Sequence, residues 1–388
     1  MTRHIFKLIW NRKGQHIFLI LEVFAVFLIL YGVSVFATFN LERYREPLGF
    51  DTQPIWTAYF SLPQETDSAL IADTRHRLKI SLESLPEVEK VAFSGGITPF
   101  SGSNWINTNN DMGFQIQSWM SDADAYYAET MGMKMLAGRW FSEADYQDKY
   151  TPVVVNQRFI DSYFPDTNMV GQVLRFGGEK RIVGVVERYK YLGEFAEDHP
   201  LIITPYYPWY AEGLTLMIRV KPGTGPDLEE KLSRQIGDIA RGWDFSIVSL
   251  ETRRQRDSQE IWAPMVAMFA ICGFLIVNVG LGLFGVLMYS INRRRPEIGL
   301  RLAVGASPTR IVRQFFAEFL LIALLGMGVG LLLVVQLPLL DVLPVPSRVY
   351  LVAGLFSVAV IVGLVVLCTL YPSYIASQIQ PATALHEE

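Results

Sequence analysis

The chain is poor in the residues that build metal centres and disulfide frameworks. Cys272 and Cys368 are its two cysteines, and both fall inside long apolar runs, where they read as plain apolar side chains. A zinc site or a disulfide scaffold needs clustered thiols, so neither is expected. His4, His16, His76, His199 and His386 are scattered along 388 residues, and no H-E-x-x-H motif pairs any two of them. A G-x-x-x-x-G-K-[ST] phosphate loop is also missing. Gly177-Gly178-Glu179-Lys180 lacks the spacing that wraps backbone N–H groups round a phosphate. No G-x-S-x-G elbow frames a serine. The expectation is a chain that is no enzyme and carries no metal or cofactor of its own. Charge is scarce too, at 19% of residues against about 25% in ordinary soluble domains. A net charge of -4 gives no reason to expect nucleic acid.

What is abundant is apolar sequence, gathered into four runs at 17–39, 263–291, 315–337 and 350–371. Roughly 20 apolar residues in a helix cross about 30 Å of hydrocarbon with every backbone group satisfied internally, so each run is expected to span a bilayer. The 1–16 leader holds Arg3, Lys7, Arg12 and Lys13. The run behind it exceeds a signal-peptide core of about 7 to 15 residues, and Asn40-Leu41-Glu42-Arg43 is no small-residue cleavage site, so it reads as an uncleaved anchor. Lys and Arg in short loops stay inside, which places the leader and the 292–314 loop in the cytoplasm, and the even number of crossings that follows keeps the 372–388 tail there as well. Segments 40–262 and 338–349 then lie outside. Within the spans, Glu22, Asn278 and Glu318 are costly polar groups, expected to bond between helices. Gly273, Gly280, Gly326 and Gly330 are expected to let helices pack closely.

The outer segment reads as an α/β domain. Two strand–helix–strand patterns, at 55–94 and 214–250, carry Ile71, Leu78, Leu82 and Leu85, and Leu228, Leu232, Ile236 and Ile239, at helical spacing. They suggest a split α/β lobe, 47–98 with 211–250, around a β-rich insert at 99–210. The aromatics Tyr206, Tyr207, Trp209 and Tyr210 read as a packed loop, with a binding surface as the alternative.

The inner loop runs Arg293-Arg294-Arg295-Pro296-Glu297-Ile298-Gly299-Leu300-Arg301-Leu302-Ala303-Val304-Gly305-Ala306-Ser307-Pro308. Pro296 suits a first helical turn and Glu297 its positive dipole end. Gly305 should end the helix, and Ser307-Pro308 should start the next. The result is a short helix on the inner face, its Ile298, Leu302 and basic residues offered either to a cytoplasmic partner or to anionic lipid. This stretch resembles the R-R-x-E-I-G-x-R-x-A-x-G-A signature of the FtsX/MacB-like ABC transporter permeases, continued by an I-V-x-Q-F-x-x-E entry to the next span at Ile311 to Glu318. Tyr371-Pro372 and Pro381 to Leu385 are similar to the family's ending, although Ser377, Gln378 and Gln380 stand where basic residues are usual. Gly138-Arg139-Trp140-Phe141, Val170-Gly171-Gln172 and Ile182 to Val186 are similar to its periplasmic core domain.

The resemblance implies a multi-pass protein of the bacterial inner membrane with its large domain in the periplasm. It implies pairing with a second permease copy or a homologue, and docking of a separate ATPase subunit that holds the ATP. Arg295, Glu297, Ile298, Gly299, Arg301, Ala303, Gly305 and Ala306 would form the coupling surface. Export of antimicrobial compounds or peptides, with a periplasmic adaptor and an outer-membrane channel, is the implied role. Lipoprotein release or envelope regulation shares the same plan. A transmembrane ligand sensor is the alternative of another class.

Overall fold

A computed structural model describes residues 13–63, 66–207, 213–225, 227–340 and 343–377. The leader cations Arg3, Lys7 and Arg12, the aromatics Trp209 and Tyr210, and the 381–385 signature lie outside the described residues. In chain order the elements begin with α1 (Lys13–Tyr44), β1 (Ile55–Ser61), α2 (Ser68–Glu83), β2 (Val88–Ser94), β3 (Ile106–Asn109), β4 (Ile116–Ala123), α3 (Tyr127–Met131) and β5 (Met135–Gly138). Next come β6 (Thr151–Asn156), α4 (Gln157–Tyr163), β7 (Val173–Arg175), β8 (Glu179–Val186), β9 (Leu201–Pro205), β10 (Thr215–Val220), α5 (Leu228–Ile239) and β11 (Asp244–Ser249). The remainder is helical: α6 (Leu250–Arg293), α7 (Arg295–Ala303), α8 (Pro308–Val334), α9 (Gln336–Leu339) and α10 (Ser347–Ser377). They form two units, Met1–Glu42 with Trp262–Glu388, and Arg43–Ile261.

Among the described residues, four helices are long and apolar enough to cross a membrane: Ile17–Tyr44, Leu250–Arg293, Pro308–Leu339 and Ser347–Pro372. Their shared core includes Val23, Phe27, Leu283, Phe319, Ile322 and Val365. At three of the four glycines a neighbouring helix stands close. A Cβ on Gly326 would sit 2.8 Å from the Ile20 carbonyl oxygen of α1, one on Gly330 would run into the Phe27 ring, and one on Gly280 would lie 3.2 Å from Leu364 Cδ1 of α10. Gly273 departs from the expectation, because a Cβ there would meet nothing within 4 Å. It lies on a side of α6 that this chain leaves open, beside the exposed Phe269, Phe274 and Val277. Asn278 differs as well. It donates to the i−4 carbonyl of Phe274 in its own helix at 2.8 Å. Glu22 lies against Gly282, and its Oε2 has no hydrogen-bond partner among the described residues.

The second unit is built on one sheet of 11 strands in the order β11-β1-β10-β2-β4-β9-β6-β8-β5, with β3 beside β4 and β7 beside β8. The first four strands are antiparallel. Helices α2 and α5 cover them, because Ile71, Leu78, Leu82, Leu228, Leu232 and Ile236 recur at helical spacing and meet Val91, Leu216 and Ile218. Asp67 caps α2 by accepting the Ala69 N–H at 3.1 Å. The strands of the insert continue the same sheet, with β4–β9 and β6–β8 parallel. The two parts share a single register pair, Ser94 with Ala123.

Side chains fasten that junction. Ser94 Oγ donates to the Asp122 carbonyl at 2.6 Å, and the buried Asp124 carboxylate accepts the N–H groups of Phe93 at 2.8 Å and Tyr126 at 3.0 Å. Burial pushes Asp124 up from 3.8 to about 6, against the pull of those two N–H groups. With the folded value above the unfolded one, folding takes up a proton between the two. The carboxyl therefore favours the folded state most below pH 4, and that contribution is lost as pH rises through 6. Asp124→Asn should remove this slope, worth about 3 kcal/mol across the window, in pH-dependent denaturation of the detergent-solubilised chain compared with wild type. In the helical unit, Gly330→Leu should lower stability by about 1 to 3 kcal/mol through overpacking against Phe27, while Gly273→Leu should change it little, as read by thermal unfolding in the same micelles.

Candidate functional site

The short helix α7 is held to α8 by two polar clamps. Arg294, just before its first turn, is 8% exposed and donates both terminal nitrogens to Glu318 of α8, at 3.0 and 3.2 Å. Glu318 is 2% exposed, and the same guanidinium lies 5.9 Å from the Phe315 ring centre. A two-pronged pair of this kind fixes direction as well as distance. Two helical turns along, Arg301 donates to Gln314 Oε1 of α8 at 2.9 Å and also to Glu297. Pro296 sits in the first turn, where its missing N–H leaves no bond unmade. The helix ends at Gly305, whose φ of +94° is the left-handed turn that glycine permits, with the Ala306 N–H closing back on the Arg301 carbonyl at 2.9 Å.

These clamps decide which stripe of α7 is available. Ile298 is 4% exposed and packs into the helical core with Ile311 and Phe315, Leu302 packs against that core, and Gly299 is buried. Ile298, Gly299 and Leu302 therefore do not form an outward coupling surface as expected. Positions 298 and 302 lie one turn apart on the stripe that the Arg294–Glu318 pair turns inward. Arg295, Glu297, Arg301, Ala303 and Gly305 are exposed, and Ala306 is half-buried. The sequence reading missed Leu300 and Val304, 54% and 82% exposed. They form a second apolar i, i+4 pair on another side of the helix, and that duplication was the available signal, since only one of the two pairs can face the core.

The second unit carries its own polar cluster where the last residues of α1 meet the first turns of α6. Lys190 has a fully buried side chain whose Nζ donates to the carbonyls of Arg43 at 2.8 Å and Glu194 at 2.9 Å. Burial lowers its pKa, with Glu46 pulling the other way. Glu194 accepts from Arg254 at 2.7 Å and from Ser258 at 2.6 Å, both on α6. Arg254 also pairs with Glu251 at 2.7 Å, which in turn accepts from Thr52 at 2.8 Å. Arg43 pairs with Glu197 at 3.0 Å, and Tyr44 stacks on Phe195. Segment 190–197 thus ties α1 to α6. Arg254 thus has one partner three residues away, Glu251, and one at long range, Glu194, that no local pattern could name.

Removing one member of a buried pair strands the other charge, which typically costs about 3 to 5 kcal/mol. Glu318→Ala and Arg294→Ala should each destabilise the helical unit by that order, and Arg294→Met with Glu318→Leu together should restore much of it. Thermal unfolding of the purified variants in detergent measures both.

The sequence profile of the MacB-like periplasmic core domain matches residues 20–235, and that of the FtsX-like permease C-terminal family matches residues 268–381. Among curated proteins, the chain is 31% identical over 216 residues to the macrolide export ATP-binding/permease protein MacB 2 of Aeromonas hydrophila, covering 53% of this chain and 33% of that protein. It is 25% identical over 306 residues to the macrolide export ATP-binding/permease protein MacB of Rhodopseudomonas palustris, covering 76% of this chain and 46% of the relative. The chain therefore spans about half, or less, of the length of these relatives. Among solved structures, the periplasmic region of MacB from Actinobacillus actinomycetemcomitans aligns over 55% of this chain and 96% of that one, at 16% identity and a TM-score of 0.38. Both matched domains are membrane-permease components, and between them they take in the apolar helices and the α/β sheet in the order the sequence sets them. The chain belongs to the FtsX/MacB-like family of ABC transporter permeases.

Proposed function

We propose that the chain is the permease subunit of an ABC transporter whose ATP is held and hydrolysed by a separate ATPase subunit docked on the outer stripe of α7. The observation that carries this reading is the Arg294–Glu318 clamp. It spends one apolar stripe of α7 on the helical core and leaves Glu297, Leu300 and Val304 on the surface. A rigid helix that bares an apolar and acidic face next to a buried anchor is suited to receiving force from a partner.

Helix α6 would then serve as the lever. Its 44 residues at about 1.5 Å each give on the order of 65 Å, about twice the hydrocarbon thickness. The cluster of Lys190, Glu194 and Arg254 would couple its outer end to α1. On this reading the protein lies in a bacterial inner membrane with the α/β unit in the periplasm, and it works as a pair with a second copy or a homologous permease. Export of antimicrobial compounds or peptides, through an adaptor and an outer-membrane channel, is the role we favour. The two relatives from Aeromonas hydrophila and Rhodopseudomonas palustris are named as macrolide export proteins, which supports it.

Co-purification tests the docking surface. Leu300→Asp with Val304→Asp should abolish recovery of the ATPase subunit with the tagged chain while leaving its thermal unfolding unchanged. Undiminished recovery would remove α7 as the docking element.

A further inference from the structure

The second unit contains a cleft of about 630 Å³ whose floor is a strip of the sheet. Asp122 of β4 pairs with Thr204 of β9, and Thr151 of β6 pairs with Lys180 of β8. All four side chains line the cleft. From β4 through β9 and β6 to β8 are three steps of about 4.8 Å, so Asp122 and Lys180 mark opposite ends of a strip about 14 Å wide. Between and above them the lining is apolar and aromatic, with Met120, Phe176, Tyr206 and the half-exposed Trp105.

Both charges are oriented by backbone contacts, and Arg75 adds an electrostatic pull on Asp122. Asp122 lies against the backbone of Gly95, and Lys180 Nζ reaches the Gly177 carbonyl at 3.3 Å. Among the described residues neither belongs to an ion pair. The aromatic wall is fixed from behind. The buried Arg75 guanidinium lies 4.6 Å from the ring centres of both Phe93 and Tyr206 and donates to the Tyr207 carbonyl at 2.8 Å. The cleft is therefore preformed, of ordinary ligand-site volume, and bipolar.

We propose that this cleft binds a short apolar peptide with free termini, its ammonium against Asp122 and its carboxylate against Lys180. An extended peptide advances about 3.3 Å per residue, so about four residues cover the distance between the charges. The sheet floor offers their side chains an apolar bed. A singly charged ligand would leave one half-buried charge facing apolar surface, which is the more costly arrangement. Burial pushes Asp122 up to about 6, and an adjacent ammonium would hold it ionised.

Binding here needs no ATPase, so the test uses the full chain alone, and its failure would leave the docking role of α7 to its own experiment. The probe is the tetrapeptide leucyl-phenylalanyl-leucyl-leucine, titrated calorimetrically into the chain in lipid nanodiscs, with empty nanodiscs as the reference. We expect saturable binding that N-acetylation or Asp122→Asn weakens about tenfold or more, and that C-amidation or Lys180→Gln weakens likewise, as expected for charge-assisted contacts. N-acetylation should cost little further in Asp122→Asn, and C-amidation little further in Lys180→Gln. Absence of binding beyond the empty-nanodisc signal would overturn the proposal, as would equal affinity for free and capped peptides, or loss on only one of the two cappings.

Discussion

A buried arginine–glutamate pair governs the geometry of the inner-face helix. Taking both charges of Arg294 and Glu318 out of water is expensive, and their attraction repays it only because both guanidinium nitrogens meet both carboxylate oxygens. The interaction yields orientation more than net stability. With Arg294 anchored, the helical repeat places Ile298 and Leu302 against the core and turns Leu300 and Val304 away. The surface this helix offers a partner is thus set by one contact made outside it.

A comparable arrangement recurs in the α/β unit with different chemistry. Lys190 is buried and bonds to two main-chain carbonyls, while Glu194, four residues on, reaches two residues of α6. Main-chain acceptors cannot relocate without moving their helices, so these bonds constrain the backbone of α1 and of segment 190–197 together. In both units the charged residues do their structural work by joining a helix end to something distant in sequence.

Much of the architecture was legible in the amino-acid sequence, because it rests on periodicity and composition. Apolar runs marked the four long helices, the stripes through Leu78 and Leu232 marked the helices that cover the sheet, and Gly305 and Pro308 marked the breaks around the inner loop. What could not be read was pairing at long range. Arg294 and Glu318 stand at the two ends of one recognisable motif, yet nothing local says that they touch. The orientation of α7 was misjudged for the same reason, since Ile298 is apolar whichever way it points. Gly273 shows the converse: a small residue at the right spacing reveals that close approach is permitted, and only the structure shows whether a neighbour has taken the place. The floor of the cleft escaped notice because Asp122 and Lys180 are brought together by strand order, which sequence patterns do not specify.

The lone Ser94–Ala123 pair has a mechanical corollary. Most neighbouring strands resist bending through ladders of several pairs, five between β1 and β10 and six between β6 and β8, while β6 and β9 share two. At β2 and β4 that resistance falls to one pair and a few side-chain bonds. Gly96 stands on one flank of this seam and Thr204 on the other, and both line the cleft. A sheet stitched most thinly at one line bends there more readily than along its longer ladders, and bending along that line alters the width of the cleft.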